Sequence, residues 1–253
     1  MTKWVWKGLR TGIKTTAYPA SAETAVGVSP GRPADGEPAR GKEIRPVVDC
    51  CPANALIPDA DRIGVDYRRC IHCFRCKRLP AEPLTWEPGY EWGEPVSDQG
   101  ALDKTFATSL HIRIVDAGAC GACLSEIRQI TSPYYNIHRL GFFITPTPRT
   151  ADVLLVAGPG TDHMRMSLQK VFEAMPAPKR VVAVGTCALT GGVFGPSFAT
   201  RAGVGEMIPV DVEVPGCPPP PLAIIHALLI AAGRSETADL PSRSQAKQNK
   251  ESL

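Results

Sequence analysis

Residues 152–187 read DVLLVAGPGTDHMRMSLQKVFEAMPAPKRVVAVGTC. The stretch opens on an apolar run, Asp152 to Ala157, that suits a strand buried on both faces. Asp162 to Ala174 contains neither proline nor glycine and reads as a helix. Val181 to Val184 is a second apolar run, and it leads straight into Gly185-Thr186-Cys187. Strand, helix and strand at this spacing form the repeating unit of a parallel sheet. Working outward, His111 to Val115 reads as a further strand and Cys123 to Ile130 as a helix. Met207 to Val214 reads as a fourth strand and Leu222 to Ala232 as a closing helix. The predicted fold class is α/β, a parallel sheet covered on both faces.

In such sheets ligands gather beyond the carboxyl ends of the strands. Cys120 and Cys123 follow the first strand, Cys187 the third, and Cys217 the fourth, within Pro215-Gly216-Cys217-Pro218. Three loops thus deliver four thiols to one sheet edge. An iron–sulfur cluster takes four thiolates, and glycine-rich loops free backbone N–H groups to bond its sulfurs. Structural zinc normally takes its cysteines as two close knuckles, so one pair plus two distant singles suits it poorly. Small buried cysteines also serve as plain core residues. The spacing favours the cluster over both alternatives.

A second group lies upstream. Cys70-x-x-Cys73-x-x-Cys76 resembles the bacterial ferredoxin run, in which the cysteine before proline ligates the other cluster of a pair. Cys51-Pro52 matches the end of a degenerate first run, whose earlier cysteines fall near Val47, Ile44 and Gly41. The second run has Pro80 where its own last cysteine belongs. One site has therefore lost all its ligands, and the other keeps Cys51, Cys70, Cys73 and Cys76. Cys50 is spare. His72 beside Cys73 admits zinc, but this run wraps an iron cube better than a tetrahedral ion.

The apolar fraction, 43%, is enough for a real core. The formal net charge of +3, without a long basic run, gives no case for nucleic acid. The C-x-x-C pairs and the lack of a signal-like apolar start favour metal or redox chemistry over disulfides. No apolar stretch reaches the length of a membrane span. Residues 1–42 read as an N-terminal extension and linker, with a basic, Trp-bearing start (Trp4, Trp6, Lys7, Arg10). Residues 43–95 read as a single-cluster ferredoxin-like α+β module, 96–234 as the sheet domain, and 235–253 as a disordered tail. There is no P-loop, and Gly158-Pro-Gly160 lacks the rest of a dinucleotide fingerprint. His111, His138, His163 and His226 are isolated and read as structural.

Taken together, GACGACLSEI (118–127), DVLLVAGPGT (152–161), VVAVGTCALTGG (181–192) and IPVDVEVPGCPPPP (208–221) resemble the small subunit of NiFe hydrogenases. They also resemble the homologous complex I subunit that holds the terminal cluster next to quinone. Complex I members have two adjacent cysteines at the first position. Cys120-Gly-Ala-Cys123 instead resembles the membrane-bound, energy-converting hydrogenases of the formate hydrogenlyase type. The resemblance implies a flavodoxin-like domain with one 4Fe–4S cluster on Cys120, Cys123, Cys187 and Cys217. With the upstream module, the expected cofactors are two 4Fe–4S clusters.

The implied function is an electron-transfer subunit, relaying electrons between a large-subunit active site and a ferredoxin-type carrier. The alternative is a subunit of a complex I-like quinone oxidoreductase or of a nickel-free relative. Implied partners are a hydrogenase-type or complex I-type large subunit and further iron–sulfur and membrane subunits. The implied location is cytoplasmic, peripheral on the inner face of the membrane. Glu126 matches a glutamate of that family, and on the helical face of Cys123 it is a candidate proton relay. Its plainer reading is a helix N-terminal carboxylate favoured by the dipole. Tyr134, Tyr135, Arg139 and Arg149 are candidate contacts to the large subunit. The fused ferredoxin-like module departs from the formate hydrogenlyase pattern, where a separate subunit supplies such clusters.

Overall fold

The computed structural model describes residues 3–35, 44–59, 62–79, 84–96, 106 and 108–234. The N-terminal region carries α1 (Lys3–Thr11), β1 (Arg32–Pro33), α2 (Arg45–Asp49), β2 (Leu56–Asp59), β3 (Arg62–Val65) and β4 (Trp86–Glu87). Next come β5 (Glu94–Pro95), β6 (Leu110–Asp116), α3 (Ala122–Gln129), β7 (Phe142–Ile144) and β8 (Val153–Ala157). The chain continues through α4 (Asp162–Ala174), β9 (Arg180–Val184), α5 (Thr186–Thr190), β10 (Val212–Val214) and α6 (Pro221–Ala231).

The large sheet has the order β5-β10-β9-β8-β6-β7. All its pairings are parallel except that of β5 with β10. Every residue of β8 is buried, as a central strand with covered faces requires. One apolar core gathers α3 and α6 against the sheet, and a second gathers α4, α5 and the segment around Val204 to Ile208. Helix α6 is apolar on all sides and almost wholly buried, with Pro221 in its first turn where no N–H is needed. Among the described residues no helix is long and apolar enough to cross a membrane.

The expected α/β parallel sheet is present, and helix Asp162–Ala174 has the expected bounds. The stretch Met207 to Val214 is a strand only over Val212–Val214. Pro209 has no N–H for a ladder, and Met207 and Ile208 instead bury themselves in the second core. The N-terminal region forms short antiparallel pairs, β1 with β4 and β2 with β3. Leu56, Ile63 and Leu84 form its own small core. The boundary expected at 95/96 is crossed by the large sheet, since β5 is its edge strand. Tyr18, Val28, Tyr67, Tyr90 and Trp92 likewise belong to the core shared with α3 and α6. The expected disordered tail, 235–253, lies outside the described residues, as do Gly41 and Pro80.

Candidate metal centres

The first cysteine loop is shaped by Asp116 at the end of β6. Its Oδ1 accepts the N–H groups of Gly118 (2.9 Å) and Ala119 (2.6 Å), which turns the chain toward Cys120. Helix α3 then starts one residue before Cys123, so this thiol sits in the first helical turn. The second and third loops are bonded to each other. Gly185 N–H donates to the Val214 carbonyl (2.8 Å) and Thr186 N–H to the Gly216 carbonyl (2.9 Å). Cys187 and Cys217, each the next residue along, are thereby held side by side.

Gly185 is where the three loops meet. A Cβ on it would lie 2.5 Å from Cys123 Sγ, 3.3 Å from the Gly216 carbonyl oxygen and 3.7 Å from the Pro219 ring. Its φ of +89° also lies in the region that favours glycine. Gly192 plays the same part for the second loop, where a Cβ would sit 2.7 Å from Cys187 Sγ. Both glycines leave room for sulfur.

The thiols act on one another. Burial, and then charge on Cys217, Cys187 and Cys120, pushes Cys123 up to about 12. Burial, then Cys217 and Cys120, pushes Cys187 up to about 11. Cys217 is raised by burial and then by Cys120. Four thiolates can share this edge only when bound cationic charge displaces their protons. Among the described residues, no three His, Cys, Asp or Glu side chains converge tightly enough to chelate one metal ion. Four thiols that sense one another at one sheet edge are the donor set an iron–sulfur core takes, a thiolate at each corner.

The upstream group is also assembled. Cys51, Cys70, Cys73 and Cys76 line one cavity together with His72, Phe74 and Trp86, and Cys50 is not in its wall. Ala55 N–H donates to Cys51 Sγ at 3.3 Å. Burial pushes Cys70 up to about 12, with Cys76, Cys51 and Cys73 adding to it and the His72 N–H opposing it. Cys76 is raised by burial and then by Cys50, Cys73 and Cys51, again opposed by a backbone N–H. His72 and Phe74 both take positive φ, which lets the loop curl tightly between its cysteines. Ile44 and Val47, at positions where a first ferredoxin run has cysteine, pack against the small core of Leu56, Ile63 and Leu84. Apolar side chains thus stand where the lost site's ligands fall.

His72 is accounted for without metal. It is buried, its Nε2 shares a hydrogen bond of 2.6 Å with the Tyr67 hydroxyl, and burial lowers it to about 4, so the ring is neutral. Glu126 lies one turn beyond Cys123 on α3, half-buried, and burial raises its carboxyl above the usual range. Tyr135 faces it closely enough to sense its charge. Arg139 donates to the Tyr18 and Tyr135 carbonyls, which anchors the N-terminal segment. Arg149 lies in the short turn Pro148–Thr150 shortly before β8, at the amino end of the sheet and away from the cysteine loops. Asp116 and Thr186 were not singled out by spacing. Thr186 is buried, and its Oγ1 donates to the Cys70 carbonyl at 3.0 Å.

The sequence model of the family described as NADH ubiquinone oxidoreductase, 20 Kd subunit, matches residues 120–231. A probable membrane-bound hydrogenase subunit of Pyrococcus furiosus is 44% identical over 130 residues, 51% of this chain and 78% of that protein. The chain belongs to this family. It is therefore a subunit of the hydrogenase/complex I kind of oxidoreductase, in an iron–sulfur family. The matched span contains all four sheet-edge cysteines, and the ferredoxin-like region lies upstream of it. An uncharacterised protein of Methanocaldococcus jannaschii is 43% identical over 127 residues, 50% of this chain and 85% of that one. Formate hydrogenlyase subunit 7 of Escherichia coli is 35% identical over 140 residues, 55% of each chain. Among solved structures, a chain of the membrane-bound sulfane sulfur reductase, an archaeal respiratory membrane complex, is similar at 26% identity. It has a TM-score of 0.46 over 59% of this chain and 86% of that one.

Proposed function

We propose that this chain is the electron-transferring small subunit of a membrane-associated NiFe hydrogenase-type complex. It would hold one 4Fe–4S cluster on Cys120, Cys123, Cys187 and Cys217 and a second on Cys51, Cys70, Cys73 and Cys76. The observation that carries this reading is the meeting of three cysteine loops at Gly185, with sulfur in the space its missing side chain leaves. When bound, such clusters supply one-electron chemistry that amino-acid side chains lack.

The chain's own residues do the rest. The eight cysteines hold the two sites. The Ala55 N–H on Cys51 Sγ is the kind of bond that tunes a cluster potential. Cys123 lies in the apolar core and Cys70 packs against it, which keeps water from that side of each site. Glu126 is proposed as the proton relay toward the large subunit, its carboxyl raised by burial and carried on the helix of Cys123. A hydrogenase-type large subunit, with further iron–sulfur and membrane subunits, completes the complex. They hold the chain at the cytoplasmic face of the membrane.

The family's description brings in the second reading, a complex I-like partner that reduces quinone. The partner's sequence discriminates, because a nickel site needs cysteine pairs of its own. The test is anaerobic purification of the complex with its large subunit, followed by iron analysis and low-temperature EPR. Two 4Fe–4S signals support the proposal, and a colourless zinc protein rejects it.

A further inference from the structure

Thr186 is 1% exposed and touches the chain beside three cysteines of two different sites. It is bonded covalently to Cys187. Its N–H donates to the carbonyl of Gly216, the residue before Cys217 (2.9 Å). Its hydroxyl donates to the carbonyl of Cys70, in the other site (3.0 Å). No other hydrogen bond from a side chain beside a sheet-edge cysteine reaches the upstream cysteines among those described.

A second link keeps this one in register. Arg68, two residues before Cys70, donates twice to Glu213 on β10, through Nε and Nη2 at 2.6 Å each. The Glu213 side chain is only 9% exposed. A bidentate guanidinium–carboxylate pair fixes orientation as well as distance. The turn Tyr67–Arg69 is thus fastened to β10 at one point and to the start of α5 at the other.

We propose that Thr186 is the positioning residue that couples the two cysteine sites, with Arg68 and Glu213 holding it in place. This rests on the two-cluster reading above. Electronic coupling falls steeply across a through-space gap and less steeply along bonds and hydrogen bonds. The continuous route runs from Cys187 Sγ through its backbone N to Thr186, across Oγ1 to the Cys70 carbonyl, and on to Cys70 Sγ. One electron leaves one site and enters the other, so one is oxidised as the other is reduced. No bond and no proton changes at Thr186. A buried hydroxyl that merely satisfies a carbonyl would affect stability and nothing else.

The test uses Thr186→Val and Thr186→Ser in the intact complex, reduced with dithionite. Iron per chain, EPR spin–spin interaction between the reduced sites, and freeze-quench equilibration between them are measured. The valine variant is expected to keep both signals, to lose part of the spin–spin interaction and to equilibrate several-fold more slowly, while serine restores both. Full iron with unchanged interaction and rate in the valine variant overturns the proposal. If the valine variant loses iron, Arg68→Gln loosens the same docking from outside. Slower equilibration is expected there, and an unchanged rate overturns the proposal. A wild-type complex lacking one set of irons instead brings down the two-cluster reading, before Thr186 is in question.

Discussion

Cys123 Sγ occupies the space that a side chain on Gly185 would fill, 2.5 Å from the position of its Cβ. Ordinary contact needs about 3.5 Å or more, so Gly185→Ala must push either the α3 start or the β9 loop away. The positive φ adds strain. The variant should lose the sheet-edge irons and keep those of the upstream site, taking the chain from about eight irons to about four. Iron analysis of the purified variant checks this, and full iron would contradict it.

Cys50 and Cys51 both lie near the upstream thiols, and Cys50 senses Cys51 and Cys73, but the two differ in what they face. Cys51 lines the upstream cavity and accepts the Ala55 N–H, while Cys50 is absent from that wall. Cys51→Ser should abolish or alter the upstream EPR signal and leave the sheet-edge one. Cys50→Ser should leave both signals as they were. The opposite pattern would exchange the two assignments.

The Arg68–Glu213 pair joins residues 145 apart in sequence. Arg68→Met removes the bidentate guanidinium from a mostly buried carboxylate. Breaking such a pair costs roughly 3–5 kcal/mol, and the partial exposure of Arg68 points to the lower end. Denaturant unfolding of the anaerobic protein should show a loss of about 3 kcal/mol. No loss would mean that the docking is held elsewhere.

His226 on α6 accepts the Gly93 N–H through Nδ1 at 3.2 Å. Burial lowers its pKa, with the charge of Glu91 opposing. A depressed histidine favours the fold in its neutral form. Its contribution is therefore complete above the ordinary histidine range, about 6.5, and is lost as pH falls through the lower folded value. His226→Asn keeps an acceptor without the charge. Its melting temperature should fall less than that of the wild type between neutral and mildly acid pH. Parallel curves would show that His226 does not set the acid limb.

Much of the architecture was legible from apolar runs. The buried strands β8 and β9 and helices α4 and α6 each have a clear signal, while β6 shows only an alternation of buried and exposed residues. Strands β5 and β7 were not read, because two- and three-residue edge strands carry too little pattern to separate from a loop. The stretch 207–214 has strand-like composition but spends its apolar residues on the core, with Pro209 interrupting the ladder. The cysteine loops were legible because strand order alone puts them at one edge. Thr186, Asp116 and Arg68–Glu213 were not, since each acts through contacts that only the folded chain creates. Arg149, a candidate contact to the large subunit, lies at the amino end of the parallel strands, opposite the cysteine loops, which its place in sequence does not reveal.

The central claim is that eight thiolates form two separate iron-binding cages. Low-temperature EPR of the anaerobically purified complex, paired with iron analysis of wild type and Cys217→Ser, tests it most directly. The account predicts about eight irons and two 4Fe–4S signals in the wild type, and loss of one signal alone in the variant. A wild-type chain with zinc in place of iron, or a variant that keeps both signals, would contradict it.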